Sequence, residues 1–284
     1  MITPTPSASA MNMIAALLEQ RTGQQIAANR AWRIETALKP LLRMRGLDTL
    51  DDLVAQLMMA RTGELGDMVV DALLNQETSF FRDTAVLEMV ADASAELQAE
   101  AGSRRLRIWS AGCSTGQEPY SLAMLFDERG IAACSSPPEI VATDISPSAL
   151  ARARSGRYSQ FEIQRGLSVR RMMQWFDGGA GDWAASPDLT RKVQFRQHNL
   201  AGDPPPPGKF DIVLCRNVLL YFSGALRKQV FDRLSQAVRP GGLLVLGAGE
   251  TVIGQTDLFA PSERFRGFYN LAEQPQPGSR SALG

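Results

Sequence analysis

The sequence predicts an α/β chain: a helical N-terminal region, then a mainly parallel, doubly wound sheet carrying a small insert. Three observations support this. Residues 11 to about 90 show helical periodicity and little strand character. From about residue 103, short β-rich runs alternate with helical ones, the pattern of a parallel sheet with helices on both faces. A polar, glycine-rich stretch, "FDGGAGDWAASPDLTRK", then breaks the alternation.

In the helical part, "MIAALLEQRTG" (13–23) stops at Gly23, which suits the position just past a helix. "LDTLDDLVAQLMMARTG" (47–63) is amphipathic, with aspartates in its first turn and Arg61 near its end, the polarity a helix dipole favours. "ELGDMVVDALLNQ" (64–76) is a further helix. Residues 21–45 hold Arg21, Arg30, Arg33, Lys39, Arg43 and Arg45 against one acid, Glu35, and 46–83 is acidic. Such a charge run is ordinarily a solvated face. Pro40 is expected to break or kink its helix. The start, "MITPTPSASA", lacks the charged and apolar regions of a signal peptide. It and "EQPQPGSRSALG" read as disordered. The expected organisation is a disordered 1–12, a helical domain at 13–90, a sheet domain at 91–272 with its insert at about 160–192, and a tail at 273–284.

The expected strands are "LRIWSA" (106–111), "EIVATDI" (139–145), "VQFRQHNL" (193–200), "FDIVLCRNV" (210–218), "GGLLVLGAGE" (241–250) and "FRGFYNLAE" (265–273). Helices are expected at 119–129, 147–154 and 223–238. A sheet of this kind binds ligands beyond the carboxyl ends of its strands.

Composition narrows the function. The formal net charge is zero, so no global basic surplus points to nucleic acid. No apolar run approaches the roughly 20 residues of a membrane span. The three cysteines (Cys113, Cys134, Cys215) show no metal or CxxC spacing and read as reduced packing residues of a cytoplasmic protein. The lone His198 cannot build a histidine metal site and reads as structural, so no metal is expected.

The chemistry centres on "AGCSTGQEPYS" (111–121), a loop between a strand and a helix. It resembles a dinucleotide loop but lacks the third glycine and places Glu118 at the helix start. A carboxylate repels pyrophosphate and attracts a cation. The nucleoside cofactor that fits is S-adenosyl-L-methionine (AdoMet), with its sulfonium and ammonium. The loop alone leaves a second reading open, that Glu118 only complements its own helix. Asp144, ending the next strand, stands where an acid accepts bonds from ribose hydroxyls. Ser146, before Pro147, already supplies the helix cap.

"NQETSFFRD" (75–83), "GCSTGQEPYSLAM" (112–124), "ATDIS" (142–146), "HNL" (198–200) and "FDIVLCRNVLLYF" (210–222) together resemble the chemotaxis receptor glutamate methyltransferases, the CheR family, in order and spacing. The resemblance covers roughly 13–272. It implies a helical domain joined to a Rossmann-like class I AdoMet-dependent methyltransferase sheet with a small inserted β-subdomain. It also implies cofactor contacts. Thr78 and Arg82 would reach AdoMet from the helical side, Glu118 its ammonium and Asp144 its ribose. Asn199, Leu200, Arg216 and Asn217 would line the adenine and methionine sides. Many relatives read N-x-T, whereas here Gln76 stands two residues before Thr78, with Asn75 displaced by one. Gln76 offers the same amide groups at longer reach and is expected at the site.

Arg82 suits bidentate binding of a carboxylate; its alternative is a surface pair with Asp83 or Glu88. Tyr221 either orients the acceptor or caps the sheet. Of Phe80 and Phe81, at least one reads as core. The expected activity is methyl transfer from AdoMet to glutamate side chains on the cytoplasmic domains of chemoreceptors, leaving S-adenosyl-L-homocysteine, with Arg82 and Tyr221 as the catalytic pair. The family implies docking of the basic 21–45 segment on acidic receptor helices; the enzyme is expected as a cytoplasmic monomer. Two rival readings are a small-molecule methyltransferase and a silent module that binds AdoMet or receptors.

Overall fold

The computed structural model describes residues 7–26, 32–60, 62–131, 137–179 and 181–273. Arg30, Arg61, Cys134 and the tail from 274 lie outside the described residues. Four helices open the chain: α1 (Ala8–Thr22), α2 (Trp32–Arg45), α3 (Leu50–Met59) and α4 (Glu64–Leu73). Ile14 and Leu18, Ile34 and Leu38, Leu53, and Val69 and Leu73 bury one shared cluster, several of them at the i, i+4 spacing of a single helix face. Gly23 ends α1 with φ 74°.

Two expectations are corrected here. α1 begins at Ala8, inside the stretch expected to be disordered. Ser7 caps it by accepting from the Ala10 N–H and is itself tied to Asp51, while Ala10 and Ile14 are buried. α2 also runs through Pro40 without a break. Pro40 and Thr36 are both exposed, so the carbonyl that loses its donor faces water. Buried Ile34, Leu38 and Leu41 hold both halves of the helix on the cluster.

α5 (Thr84–Ala101) follows as one helix across residue 90. Its Leu87, Val90 and Ala91 already belong to the sheet's core, so the change of core falls between Leu74 and Phe80 rather than at 90. The sheet is built from β1 (Arg107–Ala111), β2 (Glu139–Asp144), β6 (Val193–Gln197), β7 (Phe210–Cys215), β8 (Val238–Leu246), β9 (Phe259–Pro261) and β10 (Tyr269–Leu271). Their order is β6-β2-β1-β7-β8-β10-β9; the first five are parallel, and β10 runs antiparallel to both β8 and β9. The connecting helices are α6 (Gln117–Glu128), α7 (Pro147–Ser155) and α11 (Gly224–Ala237). Alternate residues go to opposite faces: Ile108, Ile212 and Leu214 to the side of α5 and α6, Trp109, Val213 and Cys215 to the side of α11. Both faces are covered, which explains the unbroken apolar run "IVLC" (212–215). Strand order reverses between β1 and β7, and a crevice opens at their carboxyl ends.

The insert starts at β3 (Arg157–Ser159). It contains α8 (Gln160–Gln164), α9 (Val169–Trp175), β4 (Phe176–Gly178), β5 (Asp182–Ala185) and α10 (Pro187–Thr190). Its three strands form an antiparallel sheet, β3-β5-β4. Phe80, just before α5, fixes it in place, with its ring edge-on to Tyr158 at 4.9 Å and to Phe176 at 5.4 Å. Among the described residues no helix is long and apolar enough to cross a membrane, and no cluster of three or more His, Cys, Asp or Glu could hold a metal ion.

Gly166 adopts φ +126°, and a Cβ there would lie 2.0 Å from the Phe80 carbonyl oxygen. Gly166→Ala is therefore expected to destabilise the protein by about 2 kcal/mol or more. The check is the urea midpoint at constant m-value; a wild-type midpoint would show that the insert is not seated on Phe80.

Candidate active site

A cleft opens at the carboxyl ends of β1, β2 and β7, closed on one side by the end of α1 and the segment after α4. Its floor is the loop after β1. Gly112 (φ +80°) and Gly116 (φ +93°) are required there. A Cβ on Gly112 would come within 2.5 Å of Val218, and one on Gly116 within 2.9 Å of Ala153. The N–H groups of Gly112 and Cys113 both donate to the Thr143 carbonyl, at 2.8 and 2.9 Å.

Asp144 ends β2 beside this loop. Its carboxylate accepts from the Ser114 N–H at 2.7 Å and the Ser146 N–H at 2.9 Å. Burial pushes its carboxyl above the usual value, against the pull of these backbone donors. Ser146 is the cap of α7, accepting from Ala149, as expected.

Glu118 lies in the first turn of α6. One oxygen accepts from Ser110 Oγ at 2.7 Å, the other from the Arg216 guanidinium at 2.8 Å. Arg216, just after β7, has only 2% of its side chain exposed. Its other terminal nitrogen donates to the Asp83 carboxylate at 2.7 Å and the Arg82 carbonyl at 3.1 Å. The cleft wall holds the carboxylates of Glu77, Glu118 and Asp144 against the guanidiniums of Arg82 and Arg216, three to two. That balance disfavours pyrophosphate and accommodates a cationic ligand.

Thr78, Arg82, Glu118, Asp144, Asn199, Leu200, Arg216, Asn217 and Tyr221 all line this cleft. Gln76 does not, and its expected place is corrected. Its amide turns away to Ser146 Oγ (3.0 Å) and Ser148 Oγ (3.2 Å), into a separate groove beside α2 and α4. Only its carbonyl meets the loop, accepting from Ser114 Oγ at 2.9 Å. Its neighbour Asn75 faces the cleft instead and donates to the Tyr221 hydroxyl. The extra methylene of Gln76 lets its amide reach the α7 serines.

Arg82 donates to the Glu77 carbonyl at 3.4 Å and forms neither surface pair considered for it, since Arg216 takes Asp83. It is bracketed by two left-handed residues, Phe81 (φ 52°) and Asp83 (φ 54°). Phe80 and Phe81 are both core, at 1% and 4% exposure. Ser114 and Asn217 are the other non-glycine residues with positive φ among the described residues. Ser114 and Asn217 line this cleft and Phe81 and Asp83 flank its Arg82; such backbone costs roughly 1–3 kcal/mol each. Tyr221, on a 3-10 turn (Leu219–Tyr221), is held by its carbonyl, which accepts the Gln25 N–H at 2.8 Å. The Asn199 amide donates to the Arg21 carbonyl at 3.0 Å, joining the loop after β6 to the end of α1.

Comparison with known proteins agrees with this cleft. Residues 76–267 match the family described as CheR methyltransferase, SAM binding domain. The chain is 40% identical over 240 residues to chemotaxis protein methyltransferase 1 of Pseudomonas aeruginosa, covering 83% of this chain and 87% of that one. It is 38% identical over 245 residues to chemotaxis protein methyltransferase Cher2 of Pseudomonas putida, covering 84% and 89%. It is 38% identical over 248 residues to chemotaxis protein methyltransferase 1 of Vibrio cholerae, covering 85% and 89%. The chain belongs to the CheR methyltransferase family.

This CheR-family chain is an AdoMet-dependent methyltransferase of chemotaxis, and its seven-stranded sheet is of the class I methyltransferase type. The cleft fits AdoMet in its donor set: carboxylates for the cationic and hydroxyl groups. Sequence reasoning missed Asn75 as a cleft residue and missed Glu250 altogether. Glu250 accepts from three backbone donors: Asn217 at 2.8 Å, Leu219 at 2.8 Å and Gly247 at 2.9 Å. It thereby fixes the loop that carries Asn217 and Tyr221. Its signal was available, an acid at the carboxyl end of "GGLLVLGAGE". Burial pushes the Cys113 and Cys215 thiols far up, so both are packing residues.

His198 also lines the cleft, with Nε2 3.0 Å from the Pro204 carbonyl oxygen and its ring edge-on to Trp109. Burial pushes it below its ordinary value of 6.5. The unfolded chain therefore takes up a proton near pH 6.5 that the folded protein resists. Stability is full above that pH and declines as the pH falls below it. Asp144, raised from 3.8, acts in the opposite direction and in a more acidic range. Tm should fall between about pH 7 and 5.5, with a shallower slope in His198→Gln. Identical slopes would contradict the burial argument.

Proposed function

We infer that this methyltransferase esterifies glutamate side chains on the cytoplasmic domains of chemoreceptors. The observation that carries the reading is one cleft holding two kinds of group. Asp144 and Glu118 suit a nucleoside with cationic groups, and Arg82 and Tyr221 suit an acceptor carboxylate. AdoMet, when bound, supplies an electrophilic methyl on a sulfonium. Asp144 would accept from ribose hydroxyls and Glu118 would face the ammonium. Thr78, Asn199, Leu200, Arg216 and Asn217 would form the remaining walls. An acceptor glutamate, with an ordinary pKa of about 4.3, is already ionised at neutral pH, so no general base is required.

The protein's work is then positioning and exclusion of water. Arg82 orients the acceptor carboxylate with its planar fork, and Tyr221 adds a hydroxyl. The pairing must be moderate, because a tightly held oxygen is a weaker nucleophile. The helical region formed by α1 to α4 is the receptor-facing part in this reading. Of its basic residues, Arg21 pairs with Asp67 and Arg33 turns to Asn75. Lys39, Arg43 and Arg45 are exposed and supply the docking charge for an acidic receptor helix.

The test is methyl transfer from labelled AdoMet to receptor-containing membranes, followed by mild alkali. Label released by alkali is expected; alkali-stable label would assign N-methylation instead. Arg82→Lys keeps the charge but loses the fork. Its turnover should fall at least about tenfold, or about 1.4 kcal/mol in the barrier, with a smaller loss of AdoMet affinity. Normal turnover would move acceptor positioning to other groups.

A further inference from the structure

Three side chains from distant parts of the sequence line up between α2 and the cleft. The Arg33 guanidinium donates to Asn75 Oδ1 at 3.4 Å, and Asn75 Nδ2 donates to the Tyr221 hydroxyl. A guanidinium carries donors and no acceptor. Arg33 therefore fixes which end of the Asn75 amide faces it: the oxygen. The NH₂ end must then face Tyr221. A phenol that accepts from an amide at its oxygen has its own hydrogen left to point elsewhere. The Tyr221 backbone is held independently, through the Gln25 N–H and through Glu250 on the neighbouring Leu219 N–H. The hydroxyl is thus fixed in place and in polarity, at the wall of the cleft.

We propose that Asn75 is a positioning residue that sets the hydrogen-bond polarity of Tyr221, turning the phenolic proton into the cleft toward the acceptor carboxylate, with Arg33 on α2 setting the amide. The proposal rests on the acceptor role given to Tyr221 under the proposed function. It also gives Arg33 a task inside the enzyme, distinct from the exposed basic residues of the same helix. A receptor helix that displaced Arg33 would release the amide, so acceptor docking and acceptor orientation share one group.

Asn75→Asp separates this role from a structural one. Aspartate keeps the shape and strengthens the contact with Arg33, yet it can only accept. Tyr221 must then donate to it, and the phenolic proton leaves the cleft. The experiment uses the full chain labelled with ¹³Cζ-tyrosine; it has four tyrosines, and Tyr221→Phe identifies the signal. In Asn75→Asp the Tyr221 titration should move up by about one pH unit or more, because a neighbouring carboxylate disfavours phenolate. Asn75→Ala should fall between.

Turnover on receptor-containing membranes should drop at least about fivefold in Asn75→Asp, more than in Asn75→Ala. In a Tyr221→Phe background, Asn75→Asp should cause no further loss. An unmoved Tyr221 titration, wild-type turnover in Asn75→Asp, or full additivity with Tyr221→Phe would overturn the proposal. If wild-type enzyme forms no ester on these membranes while the titration shifts as expected, the polarity relay stands and the acceptor reading fails.

Discussion

The cleft depends on the buried guanidinium of Arg216. It sits at the carboxyl end of β7 and bridges Glu118 on α6 and Asp83 at the start of α5. A third bond, to the Arg82 carbonyl, orients the turn that presents Arg82. A charge this deep costs several kcal/mol to desolvate and is sustained only by well-placed partners. Three parts of the fold are therefore held together by one side chain with little freedom to relax. The same pairing moderates Glu118, whose carboxylate would otherwise stand unpaired beside the loop.

Around this centre the backbone is shaped against its local preferences. Phe81, Asp83, Ser114 and Asn217 all take left-handed conformations, and each is held by a specific bond. The Phe81 N–H donates to Ser121 Oγ at 2.9 Å, the Asp83 carboxylate takes Arg216, the Ser114 N–H takes Asp144, and the Asn217 N–H takes Glu250. The strain is spent around one place in the molecule, and that place is where side chains must converge from six segments. Elsewhere, local sequence and fold agree, as with Ser146 and Pro147 opening α7 or Thr49 and Asp52 boxing the start of α3.

What was legible in the sequence follows from this division. The central parallel strands could be read because both sheet faces are buried there and their runs are largely apolar. Asp144, Glu118 and the glycine loop could be read because strand ends and helix starts fix their positions. Gln76 and Asn75 could not be told apart. They lie in an irregular segment with no period, where one methylene decides which amide turns inward. Pro40 misled because its local cost is real but smaller than the burial of Ile34, Leu38 and Leu41. β9 is three residues long and carries no periodic signal. Glu250 acts only on backbone N–H groups brought near by the fold, so its partners have no sequence signature.

The central claim is that Arg216 preorganises the cleft for AdoMet. Calorimetric titration of AdoMet into Arg216→Lys tests it most directly. A lysine can meet one carboxylate but cannot span both, so Glu118 and the Arg82 turn should loosen. AdoMet affinity is predicted to fall at least about tenfold, or about 1.4 kcal/mol, in a variant that still unfolds cooperatively. Wild-type affinity in a cooperatively folded Arg216→Lys would contradict the account.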